Sequence, residues 1–192
     1  MTIHQQQLNK TISEAEAELI KACKAGDRQA QSRLYHRYAQ SMLNVAYRIV
    51  WNREDARDVL QDAFVKIFRG MAELKEISTF PSWVKRIVVN TAINHHKKNG
   101  KWSFQELTDQ DIKEPTESID ETTIQLNVKK VKQCLLKLPE GYRTVLSLYL
   151  IEGYDHKEIA SILNITVSTS VSQYSRGKKR LRELLVECEG NR

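Results

Sequence analysis

Between Arg53 and Phe68 the apolar residues Ala56, Val59, Leu60, Ala63, Phe64, Ile67 and Phe68 recur at spacings of three and four. That is one stripe of an amphipathic helix. Asp55, Asp58 and Asp62 share another face, because residues three, four and seven apart lie on one side of the cylinder. After the loop GMAELKEISTFPS a second helical stretch starts at Trp83, with Val84, Ile87, Val88, Thr91 and Ala92 as its inner stripe. Upstream, the same period predicts a helix through Ala17, Leu19, Ile20 and Cys23, ending near Gly26. A longer one runs from about Arg28 to Val50, through Leu34, Tyr35, Tyr38, Met42, Val45, Ala46, Ile49 and Val50. Ser13 and Glu16 have the spacing of a capping box at the first helix. Residues 1–12 are polar and are expected to be a disordered terminus; 13–102 read as one helical domain.

From 103 to 127 the period is lost, acids dominate and Pro115 interrupts, the signature of a flexible acidic linker. Fully extended, 106–128 would span ~75 Å, more than two turns of duplex DNA at roughly 34 Å each. Helices resume with LNVKKVKQCLLKL, stopped by Pro139, and YRTVLSLYLIEG, stopped by Gly153. HKEIASIL, a short turn at Asn164 and a final helix from about Val167 to Glu187 then have the layout of a helix-turn-helix. Asn suits a left-handed turn residue, and Thr166 or Ser168 can cap the last helix. Ile159, Ala160, Ile162, Leu163, Ile165, Tyr174, Leu181 and Leu185 are its expected core. The fold class is therefore all-α: two small helical domains joined by a flexible acidic linker, the C-terminal one (128–192) a helix-turn-helix.

Charge adds a pattern that periodicity does not show. Residues 1–105 carry 17 basic and 10 acidic groups, 106–128 carry 1 and 7, and 129–192 carry 12 and 7. Two basic blocks around an acidic one suggest two modules on a common polyanion. Lys85, Arg86, Lys97, Lys98 and Lys101 follow the aromatics Phe80 and Trp83, a pairing of phosphate-neutralising charge with rings on which bases can stack. Trp83 also fits the packed start of a helix. The acidic face of the preceding helix suits a basic protein partner. In the last helix Arg176, Lys178, Lys179, Arg180 and Arg182 accompany the short polar residues Ser168, Thr169, Ser172, Gln173 and Ser175, which could approach base edges in a major groove.

Cys23, Cys134 and Cys188 lack the spacing of a zinc site, and an odd count without a signal peptide suggests a reducing cytoplasm. No apolar run approaches the ~18 residues of a membrane span. The adjacent His95 and His96 point about 100° apart on a helix and share an ion poorly. With no HExxH, phosphate loop or nucleophile elbow, no enzyme, metal or cofactor is expected.

Four stretches together carry a resemblance: SRLYHRYAQSMLNVAYRIV, EDARDVLQDAFVKIF, FPSWVKRIVVNTAINHHKK, and LPEGYRTVLSLYLIEGYDHKEIASILNIT with the basic helix after it. In order and spacing the chain resembles the extracytoplasmic-function (ECF) sigma factors, bacterial transcription initiation factors. The resemblance implies binding to core RNA polymerase through the β′ clamp helices and the β flap. Asp55, Asp58, Gln61, Asp62 and Phe64 are the implied core-polymerase contacts. Phe80, Trp83, Arg86, Asn90, Asn94, Lys97 and Lys98 would open and read the −10 element of promoter DNA. Ser168, Thr169, Val171, Ser172, Ser175, Arg176 and Lys179 would read the −35 element, with Ser170, Tyr174, Gly177 and Leu181 facing inward. Two positions depart from the family: Val171 is often basic there, and Gly177 is usually Ala. The resemblance also implies an anti-sigma factor as antagonist, and a linker that enters the polymerase cleft as a nucleic-acid mimic. A stand-alone helix-turn-helix regulator is the alternative; it leaves the acidic helix and the first basic block without work. A protein-only adaptor has no need of two basic blocks.

Overall fold

The computed structural model describes residues 12–98 and 128–190, with side chains over 12–98 and 130–187. The acidic segment expected over 103–127 and the terminus over 1–11 lie outside the described residues. The chain divides into two compact units, Met1–Lys101 and Trp102–Arg192. No strand occurs among the described residues.

The first unit holds α1 (Glu14–Lys24), α2 (Arg28–Val50), α3 (Arg53–Gly70) and α4 (Phe80–Lys98). α2, α3 and α4 pack on one another, and α1 lies against α2. Sharp corners between them follow from local chemistry. Asp27 caps α2 by accepting the N–H groups of Gln29 and Ala30 at 2.8 and 3.1 Å. Trp51, left-handed at φ 52°, ends α2, and one residue later Asn52 caps α3 by accepting from Glu54 and Asp55. The Ser13 cap forms, accepting Glu16 N–H at 3.3 Å, but the reciprocal half of the expected box does not. The Glu16 carboxylate instead crosses to α2, where it accepts the Tyr38 hydroxyl at 2.7 Å and pairs with Arg37 at 3.0 Å. A strong phenol donor and a guanidinium outcompete one backbone amide.

Two 3₁₀ turns, Met71–Glu73 and Ile77–Thr79, fill the loop before α4. It is held down by buried Met71 and Leu74 and by Lys24, whose Nζ donates to the Leu74 carbonyl at 2.6 Å. α4 begins at Phe80, three residues earlier than the periodicity predicts. Pro81 falls in its first turn, where the missing N–H costs nothing.

The second unit holds α5 (Val128–Lys137), α6 (Glu140–Leu146) running on into a π turn (Ser147–Ile151), α7 (His156–Leu163) and α8 (Val167–Gly190). α8 packs against the other three. Gly177 lies at its crossing with α6, where an added Cβ would meet Leu146 and the Tyr142 Cβ at 3.1 Å. The ~1 kcal/mol that glycine costs a helix is offset by this close approach. Asn164 is left-handed (φ 58°, ψ 52°) between α7 and α8, and Thr166 supplies the α8 cap, accepting Thr169 N–H at 3.0 Å. α7 has the full capping box, Asp155 with Glu158, at a D-x-x-E spacing legible in the sequence.

The core of this unit lies deeper than expected. Ile159, Ala160 and Leu163 are buried, but Ile162, Ile165, Tyr174, Leu181 and Leu185 are half-buried. Cys134, Leu135, Leu138, Val145, Leu146, Leu148 and Leu184 complete the interior.

Candidate protein- and nucleic-acid-binding faces

On α3 the inner stripe seats the helix against α2 and α4, which leaves the opposite face bare. Asp58, Gln61 and Asp62 are exposed there, with Asp55 half-exposed at the capped end. Asp58 and Asp62 make no ion pair among the described residues, so their charge is available to a basic partner. Phe64 departs from the expectation: it is 4% exposed, edge-on to Tyr35 at 4.8 Å. Its position continues the apolar stripe with Ala63 and Ile67, so its ring holds α3 to α2 and is not presented outward.

Phe80 departs in the same way. It is 1% exposed and stands edge-on to Tyr38 at 5.4 Å. Because α4 starts at Phe80, the ring falls on the inner face with Val84, and no base can stack on it in this arrangement. Trp83 is half-buried, 6.0 Å from Phe80, with its ring 3.4 Å from where a Cβ on Gly70 would stand. It is part packing and part surface. Arg86, Asn90, Asn94 and Lys98, four residues apart, are all exposed and form a line winding slowly along α4. Lys97 is half-buried beside them. His96 is buried and His95 half-buried, so the two imidazoles meet different surroundings. Lys66 reaches across from α3 to the buried Thr91 hydroxyl at 3.2 Å.

In the second unit α8 exposes Ser168, Val171 and Lys179, with Thr169, Ser172, Ser175 and Arg176 half-buried on its flanks. Ser170 and Gly177 are buried and Tyr174 half-buried. Gln173, expected among the outward polar groups, is 4% exposed, because it lies three residues after the buried Ser170 and four before the buried Gly177, on the packed face. Arg180 also leaves the candidate set: it pairs with Glu183 at 2.8 Å and Glu187 at 3.5 Å along its own helix. Lys178 sits 4.6 Å over the Tyr174 ring. Arg176, Lys179 and Arg182 make no ion pair among the described residues.

Sequence reasoning missed the cluster that fixes α8 to its neighbours. His156, at the start of α7, stacks on Tyr149 at 4.6 Å, and Tyr149 lies 4.5 Å from Tyr174. The His156 Nδ1 is 2.9 Å from the buried Ser170 hydroxyl. Burial lowers the His156 pKa from its ordinary value, with Asp155 opposing, and burial raises that of Tyr174. Burial thereby favours the neutral imidazole, and its contact with Ser170 joins α7 to α8. Scattered aromatic and hydroxyl positions gave no period that would have gathered them.

Comparison with known proteins bears on these faces. Residues 34–101 match the family model of sigma-70 region 2, and 129–181 match that of sigma-70 region 4. The RNA polymerase sigma factor YlaC of Bacillus subtilis is 30% identical over 153 residues, covering 78% of this chain and 88% of that protein. The ECF RNA polymerase sigma factor SigM of Mycobacterium tuberculosis is 30% identical over 89% of this chain and 85% of its own length. In solved structures the fold is similar to CnrH in complex with the cytosolic domain of CnrY (TM-score 0.54, 22% identity, 91% of this chain and 99% of that one). It is also similar to RpoE of Bartonella quintana in complex with the anti-sigma factor NepR (TM-score 0.54, 21% identity, 80% and 95%).

Proposed function

The chain belongs to the ECF RNA polymerase sigma factors, a family that binds core polymerase and gives it promoter recognition, and from that membership we propose how its two units divide the work. α3 docks the polymerase through Asp55, Asp58, Gln61 and Asp62, against a basic surface of the β′ clamp helices. The second unit meets the β flap and lays α8 in the major groove of the −35 element. α4 meets the −10 element, with Arg86, Lys97 and Lys98 on phosphates and Asn90 and Asn94 toward bases. Unstacking a base costs a few kcal/mol, and a half-buried Trp83 is the one aromatic of the pair with surface left to offset it. Phe64 and Phe80 support these faces from beneath.

RNA synthesis itself is left to the polymerase, in the cytoplasm, and no helix among the described residues is long and apolar enough to cross a membrane. A protein antagonist that covers the acidic face of α3 would silence the factor, as an anti-sigma factor does.

The exposed Asp58 and Asp62 of α3 carry this reading, since buried packing does not use them and charge makes them specific for a basic partner. Titrating fluorescently labelled full-length protein with core polymerase tests it. Asp58→Lys with Asp62→Lys should weaken binding by at least about a hundredfold, as two attractions become repulsions. Arg57→Ala, on an exposed neighbouring face, should leave it within about twofold. Equal binding by both variants would remove α3 from the interface.

A further inference from the structure

The outward face of α8 has a composition that selects among bases. Val167 and Val171, one turn apart, are 44% and 45% exposed. The hydroxyls around them are largely committed within the helix. Thr166 Oγ1 lies 2.8 Å from Thr169 Oγ1 and accepts the Thr169 N–H, while Ser172 Oγ donates to the Ser168 carbonyl at 2.9 Å. Thr169 and Ser172, both half-buried, thus have their hydroxyls already engaged within the helix. Ser168 and Ser175 are left as short polar groups, and beyond the inward Gln173 and Tyr174 the first long side chain is Arg176.

Two valines are too narrow a stripe for a partner helix, which needs an apolar seam over several turns. They are followed by Arg176, Lys179 and Arg182, without ion pairs among the described residues, and the exposed Lys157 lies on α7. That charge fits a polyanion. In the major groove the C5 methyl of thymine is the apolar group a base pair presents.

We propose that Val171, with Val167 one turn before it, reads the C5 methyl of thymine in the −35 element, making this factor a selector of thymine by apolar contact. The proposal rests on the reading of α8 as the −35 helix. Val171 sets specificity, while Arg176 and Lys179 hold the backbone without regard to sequence.

The test uses holoenzyme assembled from the full chain and core polymerase, on a promoter defined by its own transcripts. Each −35 thymine is replaced in turn by deoxyuridine, which removes only the methyl. At one or two positions the replacement should weaken promoter binding about three- to fivefold, the worth of one buried methyl. Val171→Ala should lose about as much on the unmodified promoter and should no longer distinguish deoxyuridine from thymine. Val171 is exposed, so the variant keeps its fold, which an unchanged circular dichroism spectrum checks. Equal binding of both bases by the wild type, or a −35 element with no thymine, overturns methyl reading. If Arg176→Ala and Lys179→Ala still weaken binding in that case, α8 remains the promoter helix. If they too change nothing, the placement of α8 on the −35 element falls with the proposal.

Discussion

The two units bury different chemistry. In the first, α2, α3 and α4 close on an interior of Leu34, Ile49, Val59, Phe64, Ile67, Phe80 and Val88, and among the described residues only Thr91 and His96 are polar and buried. In the second, Thr144, Ser147, Glu152, Ser170 and Gln173 are buried within a much smaller interior. The first unit is held by area removed from water. The second depends on specific bonds and close approaches: His156 to Ser170, the Asp155–Glu158 capping box, Gly177 against Leu146, and the Cys134 thiol to the Leu184 carbonyl at 3.6 Å. An apolar interior tolerates a bare, charged outer face such as that of α3. A polar interior draws on the same helix that carries Ser168, Val171 and Lys179 on its outer side, so α8 divides its hydroxyls between the buried Ser170 and that outer face.

This contrast can be broken at four places. Phe64→Ala should have the largest effect, destabilising the first unit by about 3–5 kcal/mol through lost transfer energy and a cavity. Denaturant unfolding followed by the fluorescence of Trp51 and Trp83 reads it; a change under about 1 kcal/mol would mean that Phe64 is a surface contact after all. Ser170→Val should cost the second unit about 1–3 kcal/mol, because the His156 nitrogen loses its partner. Amide exchange in α7 and α8 measures this, with α2 and α3 unchanged.

Thr144→Val should act in the opposite direction. The Thr144 hydroxyl is buried without a hydrogen-bond partner among the described residues, so a methyl of the same shape should stabilise the second unit by about 1 kcal/mol. The equivalent exchange at Thr91, which accepts from Lys66, should gain nothing.

The smallest effect is that of pH. The fold favours neutral His156, whose pKa burial lowers below the ordinary 6.5, so the unfolded chain takes up a proton first. Stability of the second unit is complete above that value and is lost as pH falls through it toward the folded pKa. The protection factors of the α7 amides, which remove the intrinsic pH dependence of exchange, should therefore fall between about pH 7 and pH 5, and His156→Asn should flatten that dependence.

Legibility in the sequence followed the same contrast. The stripes of α2 and α3 are regular because apolar burial is periodic, and their limits were readable to within a residue or two. The face opposite each stripe was readable for the same reason, and Asp58 and Asp62 are exposed on it as the period predicts. Phe64 and Phe80 were assigned outward roles although the first lies on the stripe itself and the second is the true first residue of α4, displaced by Pro81. In the second unit, period gave the helices and the turn at Asn164, but not the interior. Serine, threonine, glutamine and glycine carry no signal for burial, so the inward Gln173 and the His156–Ser170 pair required coordinates. Arg180 and Lys178 were counted as charge toward DNA because composition cannot show that Glu183 or the Tyr174 ring engages them.

The central claim, that two differently built units direct one polymerase to promoters, is tested most directly by transcription. Purified core polymerase would be given fragmented genomic DNA with the wild-type chain, or with Asp58→Lys and Asp62→Lys together. Discrete new start sites with the wild type that vanish with the double variant, and that share two upstream elements, are the expected result. The contradicting result is no added start site, combined with tight, salt-sensitive binding of a short duplex by the protein alone. That would make α3 irrelevant and α8 the helix of an ordinary DNA-binding regulator.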